Sequence, residues 1–259
     1  MATYSKRGYK TPKEKEVKDD AVENVMIDEK DSATAEVFSK LDETASKTED
    51  WVAKNQKIII GVVGAITLVT VGYFAYQRFI ANPKEDDAAN EMFVAQSNFE
   101  KATNGVASDS LYKLSLNGSE GKFGFVKIAD EYSGTAAGNL ANYYAGIAYL
   151  NTGKYDEAIN YLGKFSSNDL MLSALAKGAI GDAYSQKNQP KEALDNYIKA
   201  VEASKNDFTT PRFLMKAGKV ALALGNKADA LKYFTDIKEN YENAPEAATV
   251  DGLIGLSQE

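Results

Sequence analysis

Residues 58–77 read IIIGVVGAITLVTVGYFAYQ, twenty positions without a charge. As a helix rising about 1.5 Å per residue, they span about 30 Å, the thickness of a bilayer's hydrocarbon core. Gly61, Gly64 and Gly72 would weaken a soluble helix but are common in spanning ones. Tyr73, Phe74, Tyr76 and Phe79 crowd one end and Trp51 precedes the other, as interfacial aromatics do. A buried helix of a soluble protein rarely runs so far without a charge. A cleaved signal peptide would carry a short basic lead and a small-residue cleavage site. Here 57 residues precede the run and no such site follows. Residues 58–80 therefore read as an uncleaved transmembrane signal anchor.

Lys47, Lys54 and Lys57 flank this segment on one side, Arg78 and Lys84 on the other. The bias in positive charge places the N-terminus in the cytoplasm and residues 81–259 across the membrane. Residues 1–57 hold 11 Lys/Arg and 13 Asp/Glu. Within them, residues 1–32 are too polar to bury a core and read as a disordered cytoplasmic tail. Val37, Phe38, Leu41, Ala45 and Val52 then recur at helical steps. Residues 33–57 read as a juxtamembrane amphipathic helix lying on a membrane or a partner, the alternative being a partly helical linker.

Composition narrows the chemistry. The chain has neither Cys nor His, which excludes thiolate nucleophiles, imidazole bases, Ser-His-Asp triads and the commonest metal ligands. Its net charge of −7 argues against a nucleic-acid partner. No phosphate loop, HExxH or calcium-loop motif occurs. Asp130 with Glu131, and Asp156 with Glu157, are neighbours that point about 100° apart on a helix, which suits solvated surface better than a shared site. The expectation is a non-enzymatic protein without a cofactor or metal.

Residues 81–259 are a repeat. NYYAGIAYLNTGKYDEAINYLGKF from Asn142, KGAIGDAYSQKNQPKEALDNYIKA from Lys177 and LMKAGKVALALGNKADALKYFTDI from Leu214 align in register. Gly146, Gly181 and Gly218 each stand twelve residues before Ala158, Ala193 and Ala230, which are 35 and 37 apart. Tyr149 and Tyr184 match an aromatic filler of the first helix, and Leu162, Tyr197 and Phe234 the filler of the second. Gly153 and Gly225 fall in the inter-helix turns, and Pro190 and Pro211 in first helical turns. This pattern resembles the tetratricopeptide repeat, a helix–turn–helix of about 34 residues. Its early Trp is absent, and its terminal Pro is missing after the first two units. A weaker unit precedes these, with Gly124 in the alanine place and Ile128 as filler. Its first helix is expected from about Asp86 to Ala102, with Ala89, Phe93 and Phe99 inward. Thr103 to Gly121 reads as a surface insertion, and Glu246 to Leu256 as a capping helix. The fold class expected is all-α: one N-terminal transmembrane helix, then a right-handed α-solenoid of about four helix pairs and a cap.

The resemblance also implies a concave wall made by the first helix of each pair. On this chain that wall would present Tyr143, Ile147 and Leu150, then Asp182 and Ser185 beside Gly178, then Met215, Lys219 and Leu222. Arg212 and Lys216 stand where part of a carboxylate clamp would be, but Tyr143, Ile147 and Ala179 replace its other members. A wall of mixed polarity suits extended protein segments better than a chaperone's terminal carboxylate.

The whole layout, and GKFGFVKIADEYSGTAAGNLANYYAGIAYLNTGKYDEAINYL from Gly121 to Leu162 above all, resembles the YfgM-like family of ancillary SecYEG translocon subunits. That resemblance implies a single-pass protein of the bacterial inner membrane with a periplasmic repeat domain. Its implied partners are SecYEG, a PpiD-like membrane-anchored prolyl isomerase chaperone, and secreted or outer-membrane clients. A scaffold of cell division or outer-membrane assembly, also acting through its repeats, is the alternative.

Overall fold

The structure is a computed structural model that describes residues 33–105 and 109–259. The tail expected over residues 1–32 lies outside the described residues. The chain divides at Val69/Thr70 into two units.

The N-terminal unit consists of the first part of helix α1 (Ala33–Tyr76). Leu41, Trp51, Val52, Ile58, Ile60, Val62, Val63, Ile66, Leu68 and Val69 are all exposed. A Cβ on Gly61 or Gly64 would meet no neighbour. Among the described residues, one helical stretch is long and apolar enough to cross a membrane, with a mean hydropathy of 2.3 at its most apolar window.

The second unit is helical almost throughout. A π-helical turn (Gln77–Ala81) leads into α2 (Asn82–Asn104), followed by α3 (Asp109–Asn117), a short hairpin of β1 (Gly118–Ser119) and β2 (Lys122–Phe123), and α4 (Phe125–Glu131). Three regular pairs follow: α5 (Ala136–Asn151) with α6 (Tyr155–Lys164), α7 (Leu170–Gln186) with α8 (Pro190–Ala203), and α9 (Thr209–Ala223) with α10 (Lys227–Asn240). A 3₁₀ turn (Pro245–Thr249) and α11 (Val250–Gln258) close the stack.

The repeat register is visible as one contact made three times. A Cβ on Gly181 would stand 2.6 Å from Tyr197 Cε1, and one on Gly146 or Gly218 would overlap Leu162 or Phe234. Each glycine therefore receives the large side chain sixteen residues later, and helix axes approach closely because no side chain intervenes. Ala158, Ala193 and Ala230 are fully buried. Between pairs, the Phe213 ring occupies the space above Gly178.

The first unit departs from the expected pair. Residues 109–117 form α3, with Tyr112, Ser115 and Leu116 buried, so the supposed surface insertion is part of the core. Phe99 of α2 meets Tyr112, Phe125 and Tyr144 edge-on at 5.7, 6.1 and 5.1 Å, and Tyr144 stacks on Phe125 at 5.1 Å. These four rings join α2, α3, α4 and α5. Glu120 and Gly121 both have positive φ, the backbone of a tight two-residue hairpin turn. Gly124 is the N-cap of α4 and is not on a helix face; a Cβ there would overlap the Leu116 carbonyl and the Gly118 nitrogen. Ile128 is buried as expected. In α2 the inward positions are Ala88, Met92, Ala95, Phe99 and Ala102; Ala89 is exposed and Phe93 is 71% exposed.

Candidate protein-binding groove

The first helices of successive pairs, expected to form the inner wall, lie side by side: α5 packs beside α7, and α7 beside α9. Each starts from a defined cap or turn. Thr135 Oγ1 accepts from Gly138 N at 2.9 Å at the head of α5. Asp169 Oδ1 accepts from Met171 N and Leu172 N at 2.8 and 3.0 Å at the head of α7. Before α9, Asn206 Oδ1 accepts from Phe208 N and Thr209 N at 2.9 and 2.7 Å. Pro190 opens α8 and Pro211 lies in the first turn of α9, where the missing N–H costs nothing.

Tyr143 is partly buried and its ring lies 5.2 Å from Phe165. Burial pushes its hydroxyl above the ordinary tyrosine range, Tyr144 adds to this, and Arg212 opposes it. Ile147 and Leu150 pack with Tyr143 against Leu162, Ala176 and Ala179. Leu150, Asp182 and Ser185 come together in an open concavity of ≈ 500 Å³ that Tyr155, Tyr197 and Lys216 also line.

Asp182 is the centre of this concavity. Lys216 Nζ donates to its two oxygens at 2.5 and 2.8 Å, and Tyr197 Oη donates to Oδ1 at 2.8 Å. The ammonium also lies 5.7 and 5.9 Å from the Tyr197 and Phe213 ring centroids, within reach of a cation–π attraction. Desolvation first, then the Asp182 charge, drives the Tyr197 hydroxyl far above its ordinary range. Lys216, a clamp candidate by position, is thus committed to a carboxylate of its own chain. Arg212 is exposed.

The third repeat does not follow the expected wall. Met215 is only 7% exposed and belongs with Leu222 to a core cluster that Phe234, Ile237 and Val250 complete. The cap helix α11 covers this cluster, so Met215 fills the interior. Lys219 is exposed and lies outside the concavity around Asp182. Sequence reasoning had Lys216 only as part of a clamp and Tyr197 only as a second-helix filler, and paired neither with Asp182. The signal was available: Lys216 stands one helical turn before the position equivalent to Asp182 in the next repeat.

Comparison with known families agrees with this geometry. A tetratricopeptide repeat model matches residues 140–169, which take in most of α5 and all of α6. A second tetratricopeptide repeat model matches residues 179–245, from within α7, through α10, to the start of the 3₁₀ turn. The chain carries tetratricopeptide repeats. No curated protein matches it. These repeats are a protein-interaction architecture.

Proposed function

We propose that this chain is a membrane-anchored, non-catalytic adaptor whose repeats hold other proteins beside a bilayer. The observation that carries the reading is the order of its parts: an apolar helix with its side chains exposed, then a solenoid with an open polar and aromatic wall. In the fuller form of the proposal, residues 58–80 anchor it in a bacterial inner membrane with the N-terminus cytoplasmic and residues 81–259 periplasmic. There it serves as an ancillary subunit of SecYEG, binds a PpiD-like chaperone isomerase and assists chains that leave the translocon. Support for that form comes from the likeness of residues 121–162 to YfgM-like subunits, a stretch that builds the end of the hairpin, α4, α5 and most of α6. Anchoring favours such a role because tethering raises local concentration to about millimolar, so weak wall contacts suffice.

Co-purification of the full chain from mild detergent tests the proposal. Sec subunits and the isomerase are the expected partners. Recovery of cell-division or outer-membrane assembly proteins in their place would assign it to an envelope scaffold. A variant altered at exposed positions of the concavity, Ser185→Tyr with Gln186→Glu, is expected to keep its fold and retain less of the isomerase.

A further inference from the structure

The two edges of the repeat stack differ in a way that bears on the membrane. In an antiparallel stack every second-to-first-helix connection falls on one edge and every intra-pair turn on the other. The intra-pair turns, Thr152–Lys154, Lys187–Gln189 and Leu224–Asn226, contain no exposed large hydrophobic residue, Leu224 being partly buried. Between residues 136 and 249 such side chains are Leu170, Met171 and Phe208, exposed by 62, 44 and 61%. All three stand at the connecting edge, at the heads of α7 and α9.

That edge is also tied to the start of α2. Glu85 accepts from Ala136 N and Ala137 N at 2.7 and 2.8 Å, and Lys84 Nζ donates to the Ser133 carbonyl at 3.4 Å. The connection before α5 is therefore fastened to residues about 6–12 Å along the chain from the end of the apolar run at Gln77–Ile80. The interfacial layer of a bilayer leaflet is itself about 5–7 Å deep. Neighbouring connections continue from there. Asn139 exchanges two hydrogen bonds with the Ser166 backbone, at 2.6 and 3.0 Å, which joins the head of α5 to the turn before α7. A further concavity is shared by Asp207 and residues 239–245, which joins the turn before α9 to the one after α10.

We propose that this connecting edge rests on the lipid surface of the bilayer, with Leu170, Met171 and Phe208 inserted at the interfacial level. The inference rests on the reading of residues 58–80 as a membrane anchor. Backbone geometry presents the three side chains ready-made. Met171 N is held by Asp169, and Phe208 N by Asn206, so insertion orders little additional chain. Lys164 and Lys205 are offset by Asp169 and Asp207 on the same turns, so the contact is apolar in character and needs no anionic lipid.

The test uses the full chain with Trp51→Phe, reconstituted in vesicles of phosphatidylcholine brominated near the top of the acyl chains. Single tryptophans are introduced by Phe208→Trp or Leu170→Trp on the connecting edge, Asn151→Trp at the opposite edge and Phe74→Trp in the apolar run. Expected are severalfold stronger quenching and a blue-shifted emission for both connecting-edge probes relative to Asn151→Trp, unchanged by salt or by added phosphatidylglycerol. If Phe74→Trp is quenched while the Phe208 and Leu170 probes behave like Asn151→Trp, the docking inference is overturned, the anchor stands, and the edge is left to face a protein. An unquenched Phe74→Trp overturns the anchor reading and the docking with it.

Discussion

Lys216 on α9 donates to both carboxylate oxygens of Asp182 on α7, so consecutive repeats are joined across the floor of their own groove. About a third of each side chain remains exposed, which makes the pair a moderate stabiliser, with Tyr197 as its third member. Asp182→Asn is expected to lower stability by about 1–2 kcal/mol, since two donors lose a charged acceptor. A double-mutant cycle with Lys216→Met, followed by thermal melting, checks it. Additive losses would mean that the pair is not coupled.

Alkaline pH addresses the same site from the other side. In the folded state the Tyr197 hydroxyl is held far above its ordinary value, and burial pushes Tyr112, Tyr143, Tyr149, Tyr161 and Tyr233 in the same direction. Above about pH 10 the unfolded chain loses tyrosine protons that the folded chain keeps. Stability is thus fully present below that pH and falls as pH rises past it. Melting temperature is expected to drop from about pH 10 upward, and Tyr197→Phe to flatten the fall.

Glu91 sets an acid limit for the hairpin. Its carboxylate bonds Lys122 Nζ at 2.8 Å and accepts from Phe123 N at 3.0 Å, and these two bonds hold its pKa below the usual carboxylate value. The stabilisation is present above about pH 4.5 and is lost as pH falls through the lowered folded-state value. Protection of the Phe123 amide, relative to its intrinsic exchange rate, is expected to fall as pH drops through that lowered value. Glu91→Gln should reduce the same protection at neutral pH.

Two glycines in the stack should respond to alanine with opposite signs. At Gly181 the new methyl meets the Tyr197 ring, and overpacking is expected to cost about 1–3 kcal/mol. At Gly163 of α6 nothing lies within reach of a Cβ, so the helix gains up to about 1 kcal/mol. Paired denaturant curves for the two variants decide this; a shift in the same direction for both would break the assigned register.

Replacing Glu85 examines the fastening of α2 to α5. Its two oxygens satisfy the first free N–H groups of α5, and Glu85→Ala is expected to cost about 1–2 kcal/mol as a lost cap. Exchange at Ala136 and Ala137 should rise before exchange elsewhere in the helix.

The parts legible in the sequence were those where one residue type alone satisfies the geometry. Gly146, Gly181 and Gly218 sit where a methyl would collide with the next helix, and that need leaves a mark at a fixed period. Rotation about a helix axis was harder to read. Ala88 and Ala89, and Met92 and Phe93, are adjacent apolar pairs, and periodicity alone does not say which of each pair turns inward. In α3 the small polar residues Ser110, Ser115 and Asn117 concealed a helix whose Tyr112 and Leu116 are needed to complete the ring cluster. Of the expected wall, Leu150, Asp182 and Ser185 converge. Met215 does not, because a cap outside the repeat period covers that position. Asp182, Tyr197 and Lys216 come together from three helices, an arrangement that no local pattern records.

The ring cluster of Phe99, Tyr112, Phe125 and Tyr144 gives the solenoid unequal ends. In a chain of stacked pairs each unit is held only by its neighbours. The first unit has four interlocked aromatic rings drawn from four helices, whereas the last is closed by a nine-residue helix that buries only Val250 and Ser257 and by a 3₁₀ turn that buries none. Unravelling is therefore expected to start at the C-terminal cap and to peel back pair by pair toward α2. A force applied at α11, or a protease cutting there, is expected to meet the weaker joint first, and the segment nearest the apolar helix to be the last to let go.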